Sequence, residues 1–424
     1  MGMESAARRR LESIGRHLLP PRILFRDLHL NPVSLTESNT VGSSPVIIGG
    51  MILDIHAKPF TDPVPGTTNP GEVQYVSGGV ARNIAECMSK LGTRSFMISA
   101  VGFDMAGDML LRYWKSAGLS TEGILQSKSI RTPVVSIVFD SSGELAAAVA
   151  SVEAVEKFLT PEFIKQFQNY ICSAPMLILD ANLHPKSIEF ACQIAAAAGI
   201  PVWFEPVSVK KSTRIATVVN YITCASPNEK ELIAMANALS SSKEFKFYCE
   251  STKGQRQSVE SLFQMLKPAI CFLLDKGIKL LVVTLGPDGV FLCVREWPRF
   301  KSHDLKSSKL DSLGRMSHEF VDESCSLKQN CTTISGQLGF KSHVFHFPAL
   351  HASAVSLTGA GDCLVAGILA SISSGFDMMQ SVAVGIAVAK AAVESETNVP
   401  AEFLLHNIAG EAKIILSGVK QLPL

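Results

Sequence analysis

Along most of this chain, short apolar and β-branched runs alternate with stretches whose apolar residues recur at helical spacing. The runs fall at Val46 to Gly49, Ser95 to Val101, Val134 to Phe139, Met176 to Leu179, Val202 to Phe204, Tyr221 to Cys224, Leu280 to Leu285, Val290 to Val294 and His343 to Phe347. Each is bounded by turn residues and predicts a strand. Between the runs, Val80, Ile84, Cys87 or Met88, and Leu91 keep the helix period and stop at Gly92, while Pro185 opens a helix that continues through alanines to Gly199. This alternation predicts an α/β fold with a central, mostly parallel sheet flanked by helices on both faces. Ligands of such sheets sit at the carboxyl ends of the strands. The positions to search for chemistry are therefore Asp54, Asp180-Ala181-Asn182, Glu205-Pro206, Pro227-Asn228 and Leu285-Gly286.

Two stretches depart from the pattern. Residues 1–44 carry six arginines up to Thr40 and meet Pro20, Pro21 and Pro32 before the first strand, which predicts an N-terminal targeting or flexible segment outside the core. It lacks the long apolar stretch of a secretory signal, and Ala6 stands where the myristoylation pattern needs Ser or Thr. Arg10-Leu11, five residues, then His17-Leu18 resembles the N-terminal peroxisomal targeting nonapeptide and predicts a peroxisomal import receptor as a partner. An Arg-rich organelle transit peptide and an inert tail are the alternatives, against the first of which Glu4, Glu12 and Asp27 count. The second stretch, about 296–342, is rich in Ser, Lys, Asp and His between two good strands and reads as a polar surface insertion. Residues 45–424 otherwise read as one catalytic domain.

Composition narrows the class of function. With 47% apolar and 18% charged residues in 424, the chain has ample material for a core. Its 39 basic and 38 acidic residues give a net charge of +1, which removes the electrostatic case for a nucleic-acid partner and favours a small molecule. Ten cysteines are scattered without a C-x-x-C pair or a Cys/His cluster, so neither a zinc site nor a disulfide framework is expected. No run of about 18 apolar residues predicts a membrane span.

Three constellations carry chemistry. In Thr358-Gly359-Ala360-Gly361-Asp362, small residues precede an apolar helix, so backbone N–H groups at its N-terminus can converge on a phosphate. Asp362 then lies in the first turn, placed to accept a proton from an attacking hydroxyl. The plainer alternative is an N-cap Thr358 with a dipole-complementing acid. In Ser77-Gly78-Gly79-Val80-Ala81-Arg82-Asn83, the paired glycines either make an ordinary tight turn or allow close approach of a ligand, with Asn83 offering both a donor and an acceptor to vicinal hydroxyls. Asn228 and Glu231, three apart at a helix start, either hold Mg²⁺ through water or form a capping box. Thr284-Leu285-Gly286-Pro287-Asp288-Gly289 is a strand exit that lies along a nucleotide or simply turns a hairpin. The chain has neither a P-loop nor the protein-kinase motif set.

Taken in order, Gly78-Gly79-x-x-x-Asn83, Asn228-x-x-Glu231, Thr284-x-Gly286-x-x-Gly289 and Thr358-Gly359-Ala360-Gly361-Asp362 resemble the ribokinase-like (PfkB) carbohydrate kinase family, over about Pro45 to Ile415. Asn69-Pro70-Gly71, the extended Gly78 to Glu86 stretch, Glu205-Pro206-Val207-Ser208 and Glu396-Thr397-Asn398-x-Pro400 are similar to its pseudouridine-phosphorylating subgroup. The resemblance implies a ribokinase-like fold with a small β-lid from about 56–76 and 124–145, ATP as phosphate donor, and phosphorylation of a ribosyl 5′-hydroxyl. Asp362 would be the general base, with Gly359, Ala360 and Gly361 as the anion hole. Asp54, Gly78, Gly79 and Asn83 would bind the sugar, with Asn182 between sugar and phosphates. Thr284, Gly286, Gly289, Thr358 and Asn398 would line the ATP site, Asn398 near the adenine, while Asn228 and Glu231 would hold hydrated Mg²⁺. Family members activated by K⁺ carry Asp where this chain has Ser356, which leaves a monovalent-cation requirement undecided. A homodimer through the lid is a further implication.

Overall fold

The computed structural model describes residues 44–64, 66–140, 145–241, 244–246, 258–298, 300 and 342–424. The N-terminal segment expected to carry an address and most of the expected polar insertion lie outside the described residues.

The first strand, β1 (Val46–Ile48), is buried throughout and is third from one edge of a ten-stranded sheet. It pairs in parallel with β4 (Phe96–Gly102) on one side and β8 (Leu177–Asp180) on the other. From β8 the sheet continues in parallel through β9 (Val202–Glu205), β10 (Cys224–Ala225) and β11 (Leu280–Thr284). It then turns antiparallel through β12 (Val290–Val294), β13 (His343–Phe347) and β14 (Lys420–Leu422). The far edge is β5 (Ile124–Ser127), parallel to β4. Apolar side chains leave both faces: Ile47 joins one core cluster and Val46 and Ile48 the other. This two-sided burial explains the near-continuous apolar runs of the parallel strands.

The helices follow the predicted spacing. Helix α1 (Val80–Lys90) ends just before Gly92, α2 (Met105–Ser116) follows β4, and α3 (Pro185–Ala197) starts at the predicted proline. Later come α4 (Glu229–Leu239), α5 (Val259–Asp275), α6 (Ala360–Ser373), α7 (Met378–Val393) and α8 (Leu405–Ser417). Among the described residues no helix is long and apolar enough to cross a membrane.

A second sheet of four strands stands where the lid is expected: β3 (Gly71–Gly78), β2 (Ile52–Pro59), β6 (Val134–Phe139) and β7 (Leu145–Ser151), in that order. Two expectations need correction. The lid's second half is Val134 to Ser151, whereas Ile124–Ser127 extends the main sheet. The run Tyr221 to Cys224 is not a strand, because Val219–Tyr221 closes a 3₁₀ turn whose valine and isoleucine neighbours pack into the core, and pairing begins only at Cys224.

Candidate active site

β1 is where the sheet order reverses, with its sequence neighbour β4 on one side and β8 on the other, so its exit is the crevice in which open α/β sheets bind ligands. Helix α1 starts beside this exit. Its N-cap Gly79 has φ +98°, and a side chain there would strike the Gly50 backbone, with Ile52 N only 3.1 Å away. That close approach puts Asn83, one turn in and 3% exposed, against the start of α6, where its Nδ2 donates to Asp362 Oδ2 at 2.6 Å. The α6 N-terminus follows Gly359 in the left-handed region at φ +82°. Burial, first of all, pushes the Asp362 carboxyl up to about 7; Asp180 and Asp54 add to the shift, while Asn83 and Arg82 oppose it. A group balanced there is ionised in part at neutral pH and can take a proton from an alcohol.

Asp54, on the lid strand β2, faces the same space. Its Oδ2 accepts from Asn398 Nδ2 at 3.0 Å, and Gly78 lies directly against the carboxylate. Burial raises it to about 6, with Asn398 and Arg82 opposing. Asn398, expected near the adenine, is joined to Asp54: its amide bridges that carboxylate and the Ser77 carbonyl, 3.2 Å away.

The neighbouring strand exits supply a polar wall. Asp180 accepts from Gly50 N at 2.8 Å and Asn182 N at 2.9 Å, which ties the ends of β1 and β8 together. Asn182 Oδ1 accepts from Lys211 Nζ, an amine lowered by burial and so placed beside the site as a half-buried cation. Lys211 was not foreseen from the sequence, where it is one of two adjacent lysines. Glu205 is buried and held well above the usual carboxylate range by desolvation; it accepts from Ser226 Oγ.

On the other side of Asp362, a cleft of about 760 Å³ runs along Thr284, Gly286, Gly289, Ala360 and Gly361 to the apolar wall of Leu364 and Ile386. These are the residues expected to line a nucleotide groove, joined by two of the small residues expected to form the anion hole. Thr358 is exposed, its N–H donating to Ser356 Oγ at 3.3 Å. Asn228 and Glu231 form the complete capping box of α4: Asn228 Oδ1 accepts from Glu231 N at 2.9 Å, and Glu231 Oε2 accepts from Asn228 N at 3.0 Å. The box and the groove are neighbours, since Asn228 bridges Thr284 in parallel register.

Sequence comparison places this arrangement. Residues 44–305 and 329–400 match the profile of the pfkB family carbohydrate kinases. The chain belongs to that family. The kinase is 48% identical over 381 residues to a pseudouridine kinase of Arabidopsis thaliana, covering 89% of this chain and 98% of that protein. A pseudouridine kinase of Escherichia coli is 23% identical, with 80% and 86% covered. Among solved structures, an Arabidopsis thaliana ribokinase complexed with ribose and ATP superposes with a TM-score of 0.60 at 17% identity, covering 88% of the kinase and 98% of that chain. The ribokinase-like fold of the kinase is thus shared well beyond recognisable sequence identity.

Proposed function

We propose that this kinase transfers the γ-phosphoryl group of ATP to the 5′-hydroxyl of pseudouridine, giving pseudouridine 5′-phosphate and ADP. The observation that carries the acceptor is the 48% identity, over nearly the whole of both chains, to a pseudouridine kinase. The chemistry follows from the site. Asp54 and Asn83, buried and side by side with the base, hold the ribosyl 2′- and 3′-hydroxyls. Asp362 accepts the 5′-hydroxyl proton as the oxygen attacks phosphorus. The N–H groups at the start of α6, from Gly359 to Gly361, receive the charge gathering on the transferred phosphoryl oxygens. Orientation and charge stabilisation are most of what such a transfer needs.

Asn228 and Glu231 fit a hydrated Mg²⁺. The box uses one oxygen of each side chain, leaving Glu231 Oε1 free of the cap, and burial, with Glu229 nearby, raises the Glu231 carboxyl, a situation that a dication beside it relieves. Bound there, Mg²⁺ would offset the triphosphate charge. The lid's outer face carries Val73, Tyr75 and Val149 exposed, an apolar surface suited to a second lid in a homodimer.

The test is ADP release with Mg-ATP and, in parallel, pseudouridine, uridine, adenosine and ribose, with mass spectrometry of the products. Turnover confined to pseudouridine is expected. Faster turnover of another acceptor would overturn the substrate, and none with any acceptor would overturn the kinase chemistry. Residues 10–18 act as a peroxisomal address: a fluorescent fusion should enter peroxisomes, and Arg10→Ala should leave it in the cytosol. Unchanged import of that variant would dismiss the address.

A further inference from the structure

Beside Asn83 lies a charged network that the reaction itself does not call for. The Arg82 side chain is 2% exposed at the start of α1. Its Nη1 donates to the carbonyl oxygen of Ser77, at the root of lid strand β3, and to Asn83 Oδ1 at 2.8 Å. Its Nη2 is ion-paired with Glu86, one turn along and 1% exposed. Glu86 Oε1 in turn accepts from Tyr113 Oη on α2 and from Lys90 Nζ, both at 2.6 Å, and the guanidinium lies over the Tyr113 ring at 5.7 Å. Lys90 also donates to the Pro400 carbonyl at 2.7 Å, two residues beyond Asn398.

A guanidinium has five N–H donors and no acceptor. An amide beside it must therefore present its oxygen to the guanidinium and its nitrogen to whatever lies opposite. Opposite Arg82, across the Asn83 amide, is Asp362. The same guanidinium reaches Asp54 by a second route, since the Ser77 carbonyl that it holds also accepts from Asn398 Nδ2, the donor to Asp54. One buried cation is thus two hydrogen bonds from the base and three from the sugar-facing carboxylate.

We infer that Arg82 is the positioning residue of this site: its fixed fork sets which way the Asn83 amide faces, and so holds Asp362 aimed at the acceptor, while anchoring the root of the lid at Ser77. The inference rests on Asp362 being the base. With Arg82 gone, the Asn83 amide is free to turn its oxygen toward Asp362, where it repels the carboxylate instead of donating to it. Glu86, through its ion pair and its bonds to Tyr113 and Lys90, serves to hold the guanidinium still.

The test uses Arg82→Gln, Arg82→Lys and the double variant Arg82→Gln with Glu86→Gln, which removes both members of the Arg82–Glu86 pair and leaves Lys90 its bond to the Pro400 carbonyl. Each is assayed beside Asp362→Asn with the best acceptor of the panel, after thermal melting confirms folding. The Gln variants should lose roughly 10²-fold in kcat, the cost of a misplaced catalytic group, with the KM for ATP nearly unchanged. Arg82→Lys, which keeps charge but not the fork, should recover part of the loss and carries the test if the truncations melt. The acid limb of the kcat profile should also move to higher pH in the Gln variants. The groups facing Asp362 are Arg82, Asn83 and the buried thiol of Cys87 from α1, Asp54 from β2, Asp180 from the β8 exit and Glu205 from β9, and Arg82 is the cation among them. A folded double variant with normal kcat and an unmoved profile beside an inactive Asp362→Asn overturns the positioning role alone. Near-normal activity of Asp362→Asn overturns the base assignment and the inference with it.

Discussion

Asp362→Asn should lower kcat by roughly 10²- to 10⁴-fold, the span expected when a positioned base is lost, while ATP still binds. The substitution keeps the shape of the side chain and removes only its ability to take a proton. In the native kinase that ability depends on pH. Burial lifts the carboxyl to about 7, so activity should fall away as pH drops through that value and the base becomes protonated. The same shift has a consequence for stability. The folded kinase holds this proton more tightly than the unfolded chain, whose value is near the ordinary 3.8. The stability so gained is complete below that value and is lost as pH rises through about 7. Above neutrality the native kinase therefore carries a desolvated charge that Asp362→Asn lacks. The inactive variant should melt at a higher temperature than the native chain in alkaline buffer, and that advantage should shrink in acid. A variant with a normal kcat, or one no more stable at any pH, would contradict the assignment of a buried, elevated base.

Gly359→Ala should damage the kinase in a different way. At φ +82°, Gly359 holds a conformation that costs an L-residue roughly 1–2 kcal/mol. A Cβ there also runs into the Asn398 carbonyl, and relieving such overpacking costs typically 1–3 kcal/mol. The two strains fall on the turn that aims the α6 N–H groups and on the residue whose amide holds Asp54. We expect a stability loss of about 2–5 kcal/mol in denaturant melts, with a kcat lower by roughly 10²-fold, because both reaction partners are displaced. Gly361→Ala is the matching control: its Cβ meets open space, so its stability should stay within about 0.5 kcal/mol of the native chain. Equal stability of the two variants would show that the turn is not held as tightly as its geometry indicates.

Local chemistry made part of this site readable in the sequence. The glycine loop, Asp362, Gly79 and Asn83 each sit at a helix start, where capping alone would explain any one of them; their joint occurrence in order is what made them stand out. The strands at Val134–Phe139, Val290–Val294 and His343–Phe347 were legible to the residue because turn signals bound them on both sides. Tyr221 to Cys224 misled because an apolar run is equally at home in a buried 3₁₀ turn. The lid's last strand, Leu145–Ser151, hid in an alanine-rich segment with little β-propensity; its place is set by antiparallel pairing with β6. The partnership of Asn398 with Asp54 and the part played by Arg82 were not legible at all. Both depend on which side chains meet after folding, and an arginine beside a key asparagine reads from sequence as a solvated charge.

The hydrogen bond between Asp54 and Asn398 joins residues 344 positions apart, and that between Asn83 and Asp362 joins residues 279 apart. Contacts so distant in sequence carry a loop-closure cost that must be met before they stabilise anything, and they form slowly. The pocket around Asp54 and Asp362 therefore does not exist in a chain still emerging from the ribosome, even when the four-stranded sheet and the first half of the large sheet are already made. Acceptor can stabilise only the completed fold, and until then the nascent protein must rely on its apolar core alone.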